Sequence, residues 1–202
     1  MTVQAIDTIS GVPASFHWSG VPAAARVDDG VLAVSAGART DWFVDPGSGK
    51  TTLNAPALLG SLTGDFLLSA RLNVSFASTF DAGALVLWQD EHTWAKLAFE
   101  FSPQRRPLVV SVVTRGESDD CNSVPIDTGA VWLRVARLGH AYAFHASLDG
   151  QSWQFVRHFR LAEAGEAKVG FEVQSPVGEG CSAEFREIAY EGTTLADLRN
   201  GT

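Results

Sequence analysis

Apolar residues recur at every second position along much of this chain, a period that suits strands and not helices. Phe66, Leu68, Ala70, Leu72 and Val74 alternate with Leu67, Ser69, Arg71 and Asn73. Successive side chains of a strand point to opposite faces, so the first set lines a core and the other set faces away from it. Val131, Leu133 and Val135 alternate likewise with Trp132, Arg134 and Ala136. Tyr142, Phe144, Ala146 and Leu148 alternate with Ala143, His145 and Ser147. Further strand-sized segments occupy 31–35, 40–44, 83–89, 94–101, 108–113, 153–159, 169–173 and 183–190, punctuated by Gly, Pro, Asp and Ser. The segment 108–113 is almost wholly apolar and should be buried on both faces. The best helical signal is a short stretch at 195–199, with Thr193 or Thr194 as N-cap. So many strands, without the helical crossovers of a parallel sheet, predict an all-β jelly-roll sandwich of two antiparallel sheets.

A length of 202 residues suits one domain of that kind, spanning 1–202. Formal net charge is −8, which argues against nonspecific nucleic-acid binding and against a polybasic membrane patch. The N-terminal stretch has no basic segment leading into an apolar one, and no apolar run nears the roughly 20 residues that span a bilayer. The expectation is a cytoplasmic protein. Cys121 and Cys181 are read as two reduced thiols, with a single bridge between their flanking polar loops left open.

Residues 80–101 hold the strongest candidate for a site. They read as two strands joined by a polar turn. The second strand sets Trp94, Lys96 and Glu100 on one face and Ala95, Leu97, Phe99 and Phe101 on the other. An aromatic, a cation and a carboxylate on one sheet face make a recognition surface, with Trp94 stacking on a ligand. Solvated outer residues of an ordinary sheet give the same pattern. The polar segment 114–122, read as a loop after a buried strand, would border that face.

Other motifs carry less. The hairpin Ser147, Asp149, Gly150, Trp153 resembles the Asp-box turn of sialidase propellers, but it occurs once and a propeller repeats it. No histidine pair, zinc constellation, calcium loop, P-loop or nucleophile elbow is present, so neither metal nor cofactor is expected. Retaining glycoside hydrolysis needs two carboxyls about 5–5.5 Å apart. Glu100 has Ala98 and Ser102 at the neighbouring same-face positions, so a partner such as Asp81 or Asp119 would have to come from elsewhere. Lys96 and Glu100 lie about 13 Å apart along the strand. Lys96 on the same face is expected to keep Glu100 ionised, which suits binding better than acid catalysis.

Five motifs in register, Asp81-Ala82-Gly83, Trp94-x-Lys96-x-x-x-Glu100, Val112-Val113-Thr114 with Ser118-Asp119, the Ser147–Trp153 hairpin, and Ser175-Pro176 with Gly178 and Gly180, resemble one family. It is the uncharacterised family that includes the fungal regulation-of-enolase protein. The resemblance implies a concanavalin A-like lectin/glucanase fold whose concave face carries ligand. It places Asp81, Trp94, Lys96, Glu100, Thr114, Ser118 and Asp119 at that site. Where the family continues Ser-Asp with Trp, this chain has Asp120 and Cys121. The function expected is a non-catalytic binding module for a carbohydrate or small polyhydroxy ligand. The alternatives are a regulatory domain with a protein partner and, behind it, a glycoside hydrolase. No nucleic-acid or membrane partner is expected.

Overall fold

Alternating strands need a second apolar surface, and two stacked sheets supply it. The structure, a computed structural model, describes residues 6–161 and 165–202; the first five residues of the stretch read for a leader lie outside them. The strands in chain order are β1 (Phe16–Ser19), β2 (Ala24–Asp28), β3 (Val31–Gly37), β4 (Trp42–Val44), β5 (Thr51–Leu53), β6 (Ala57–Gly60), β7 (Phe66–Val74) and β8 (Ala82–Asp90). They continue as β9 (Thr93–Phe101), β10 (Pro107–Arg115), β11 (Glu117–Pro125), β12 (Val131–Leu138), β13 (Ala141–Ser147), β14 (Gln154–Phe159), β15 (Lys168–Gln174) and β16 (Gly180–Glu191). One sheet has the order β1-β6-β15-β8-β9-β10-β11, the other β14-β13-β12-β7-β16-β3-β2, and β4 with β5 forms a separate hairpin. The fold is an all-β sandwich of two antiparallel sheets.

The intersheet core takes the residues that alternation assigns to it. Leu68, Ala70 and Leu72 of β7, Val131, Leu133 and Val135 of β12, and Phe144 of β13 meet Leu85, Leu97, Phe99, Val109 and Phe171 of the first sheet. The first sheet is also covered on its other face, where Trp42, Ala82, Ala84, Val86, Trp94, Ala98, Val110 and Val112 cluster. That second cover is why 108–113 is apolar at every position but Ser111.

Several expectations need correction. The segment 114–122 is not a loop. Thr114 and Arg115 end β10, Gly116 turns the chain at φ +85°, and β11 runs back beside β10. It is an edge strand with one neighbour, so most of its polar side chains reach solvent and hide the strand pattern, Ser118 being the buried exception. Residues 195–199 form no helix. The chain closes a turn in which Gly201 N and Thr202 N donate to Asp197 O, and Leu195 and Leu198 cap the outer face of the second sheet against Leu67, Ala136 and Ala143. Leu148 is exposed, because β13 ends at Ser147 and the turn begins. Both cysteines are free, Cys121 exposed and Cys181 buried.

Candidate functional site

On β9, Ala95, Leu97 and Phe99 enter the intersheet core, while Trp94 and Ala98 join the outer cluster of the first sheet. Parity puts Lys96 and Glu100 on that outer face as well. Register brings the rest of the site to them. Lys96 pairs with Val86 and Val112, and Val112 with Asp120. Ala98 pairs with Ala84, and Ala84 with Glu172; Glu100 pairs with Ala82, and Ala82 with Gln174. Three alanines, Ala82, Ala84 and Ala98, therefore floor the centre of the face, where Trp42 packs with them. The long side chains of Lys96, Glu100, Glu172 and Gln174 lie around that floor.

The β4–β5 hairpin roofs one side. Trp42 packs at 4.9 Å from the Trp88 ring and 5.7 Å from Trp94. Val44 N donates to Ser118 Oγ (2.9 Å), which bonds Thr114 Oγ1 (2.8 Å). What stays open is a cavity of about 210 Å³, walled by Asp41, Phe43, Phe80 and Asp120 over Lys96, Glu100, Gln174, Val110 and Val112. A larger hollow of about 630 Å³ lies on the outer face of the second sheet. Its floor is small side chains, its serines Ser35 and Ser182 bond each other, and its edge charges Arg26 and Glu184 pair with Asp28 and Arg186. The smaller cavity holds the chemistry.

The electrostatics follow from burial. Lys96 Nζ donates to Trp42 O (2.7 Å), Gln174 Oε1 (2.5 Å) and Asp41 Oδ1 (3.3 Å). Burial works hardest against its charge, yet Asp41, Glu172 and Glu100 together raise its pKa above the ordinary value. Burial pushes Glu100 up to about 7, against the pull of Lys96 and with help from Asp41 and Asp120. This corrects the expectation that Lys96 keeps Glu100 ionised: the cost of desolvating a carboxylate exceeds the attraction of a cation already bonded to Asp41. Glu172 is fully buried, neither of its oxygens has a hydrogen-bond partner among the described residues, and burial pushes it up to about 8.

The seven residues expected at the site are placed differently from one another. Lys96 and Glu100 border the cavity. Trp94 is fully buried beneath Trp42, with no face free to stack on a ligand. Thr114 and Ser118 are buried and anchor the roof. Asp81 is buried; its carboxylate accepts from Ala77 N (2.9 Å), Ser78 N (2.8 Å) and Ser175 Oγ (2.7 Å). It shapes the loop that carries Phe80. Asp119 does not share the cavity. It pairs with Val113, a residue of the intersheet core, so parity turns it to the opposite face, where Oδ2 meets Arg157 Nη2 at 3.0 Å.

Sequence reasoning missed Asp41, Phe43, Phe80, Asp120, Glu172 and Gln174. For two of them a signal was there. With Val169, Phe171 and Val173 assigned to the core, Glu172 and Gln174 fall on the opposite face, and a carboxylate amid an apolar strand is unusual. Phe80 gave none. It sits at φ +69°, a region unfavourable for a bulky residue, and is partly exposed at the cavity mouth.

A family model described as "Protein of unknown function (DUF1349)" matches residues 18–193. The chain belongs to this family. "Regulation of enolase protein 1" of Saccharomyces cerevisiae is 26% identical over 186 residues, which are 90% of this chain and 93% of the relative. Among solved structures, a functionally unknown protein from Saccharomyces cerevisiae superposes with a TM-score of 0.82 at 22% identity, over 89% of this chain and 97% of that one. The carbohydrate-binding module CBM66 from Bacillus subtilis superposes with a TM-score of 0.55 at 14% identity, over 86% and 94%. A GH43 protein from Bacillus licheniformis gives 0.62 at 14% identity over 82% of this chain, which spans only 34% of that protein. These structural likenesses show the sandwich fold and nothing finer.

Proposed function

We propose that the chain is a non-catalytic binding module of concanavalin A-like form, whose cavity takes a small polyhydroxy ligand such as a sugar or the end of a sugar chain. The observation that carries this reading is the cavity itself. Two aromatic side chains, Phe43 and Phe80, flank carboxyls on Glu100 and Asp120 that form no side-chain hydrogen bond among the described residues. Aromatic faces cover the C–H faces of a sugar ring, and carboxyl oxygens accept from its hydroxyls. At about 210 Å³ the space is smaller than the ~300 Å³ where drug-sized pockets begin, which suits one sugar ring. The likeness to a carbohydrate-binding module over nearly its whole length supports a module of this size.

Hydrolysis is less well supported. Glu100 has the raised pKa of a general acid, but a glycosidase also needs an ionised carboxylate across the bond. Glu172 is mostly neutral near pH 7, Asp41 is bonded to Lys96, and Asp120, the remaining carboxyl of the cavity wall, is exposed on the edge strand β11. A second reading, a regulatory module with a protein partner, draws on the yeast relative's name and the 93% of that relative that aligns. The cytoplasm is retained as the proposed compartment, where an exposed thiol such as Cys121 stays reduced.

Glycan-array binding followed by titration calorimetry tests the first reading. Binding that Phe80→Ala abolishes supports it. A silent array, with co-purification of one stoichiometric protein partner, would replace it with the second.

A further inference from the structure

We propose that the ligand of this cavity carries a positively charged amine among its hydroxyls, so that an amino sugar is taken in preference to a neutral one. The inference rests on the polyhydroxy reading and names the ligand class within it. It follows from counting donors, acceptors and charges. The three protons of Lys96 are taken by Asp41, Trp42 O and Gln174, and Gln174 Nε2 donates to Phe80 O. One N–H of Gln174 is left to give. Acceptors are in excess: the carboxyls of Glu100 and Asp120 line the cavity and form no side-chain hydrogen bond among the described residues. A ligand that fits such a site gains most by donating.

Charge points the same way. Asp41 balances Lys96 across 3.3 Å, and among the described residues no other Lys or Arg lines the cavity. Glu100 on β9 and Asp120 on β11 have no cation of their own there. Glu172 lies on the same sheet face but is not part of the cavity lining; Lys96, Asp41 and Glu100 are its charged neighbours. Glu100, desolvated and without a hydrogen-bond partner among the described residues, is costly unless a ligand completes it. An ammonium both donates and supplies the missing charge, and the rings of Phe43 and Phe80 attract it further. In the empty site burial leaves Glu100 about half protonated and Glu172 mostly protonated near pH 7. An arriving ammonium favours the ionised form, so binding releases protons.

The test is calorimetry near neutral pH with glucosamine, glucose, N-acetylglucosamine and ethanolamine, in two buffers of different ionisation enthalpy. Glucosamine should bind at least about tenfold more tightly than glucose or N-acetylglucosamine, with proton release. Both Asp120→Asn and Glu100→Gln, checked by circular dichroism for an intact fold, should reduce that preference. Glucose binding as tightly as glucosamine overturns the inference and leaves the polyhydroxy reading standing. Ethanolamine binding while no sugar shows a gain from its hydroxyls keeps the cation preference and removes the polyhydroxy reading. No binding by any of the four removes both. A glucosamine preference undiminished in both variants also overturns the assignment.

Discussion

Replacing Glu172 with Gln should stabilise the protein, and should do so only as pH rises. The side chain is fully buried and lacks any hydrogen-bond partner among the described residues. Its pKa moves from an ordinary 4.5 to about 8 because burial penalises the charged form. Below about pH 4.5 the folded and unfolded chains both hold the proton, and the group has no effect on the balance. Between 4.5 and about 8 the unfolded chain loses the proton while the folded one keeps it, so stability falls as pH rises. Above about 8 both are ionised and the loss levels off. Each pH unit in that window costs about 1.4 kcal/mol, so the whole window costs on the order of 5 kcal/mol. Glu100 loses stability in the same direction up to about 7, and the two carboxyls influence each other, so their effects do not simply add. Gln is nearly isosteric and cannot ionise. Urea unfolding of wild type and Glu172→Gln, run from pH 5 to 9, should give nearly equal stabilities at the acid end. Near pH 8 the variant should be several kcal/mol more stable, a large share of the 5–15 kcal/mol typical of a domain. A wild-type stability that does not fall from pH 5 to 8, or a variant weaker than wild type at pH 8, would refute the reasoning.

Leu97→Ala and Phe99→Ala should each cost roughly 2–5 kcal/mol, since both side chains are fully buried in the intersheet core; Glu100→Gln should instead stabilise the fold near neutral pH, by the same ionisation linkage as Glu172→Gln. Trp94→Ala should destabilise by about 3–5 kcal/mol, because Trp94 is packed beneath Trp42 and not offered to a ligand; a variant of wild-type stability would return Trp94 to the binding surface. Phe80→Gly relieves a left-handed backbone at φ +69° while deleting a partly exposed ring, so its stability should stay within about 1 kcal/mol of wild type as sugar binding is lost. No turnover of laminarin, β-glucan, xylan or agar oligosaccharides is expected; release of reducing sugar that disappears in Glu100→Gln would place hydrolysis first.

Alternation of period two is local, and so the chain by itself determined the all-β class, the strands of the sandwich centre and the inward faces of β7, β9, β12 and β13. Any strand with one buried face shows that pattern wherever it pairs. The same parity put Lys96 and Glu100 on one face. What lay beyond local pattern was decided by pairing and packing. Edge strand β11 has one neighbour and polar side chains, so it resembled a loop, and a single residue's step along it exchanges Asp119 for Asp120 at the cavity. Trp94 shares its face with Lys96, but only the roof of β4 and β5, some 50 residues away in sequence, determines that it is buried. The ionisation of Glu100 depends on how much water the fold removes from it, a sum over β9, β15 and the roof that no one segment contains. Glu172 joins Glu100 and Lys96 through register across β8, and strand register is a property of the assembled sheet.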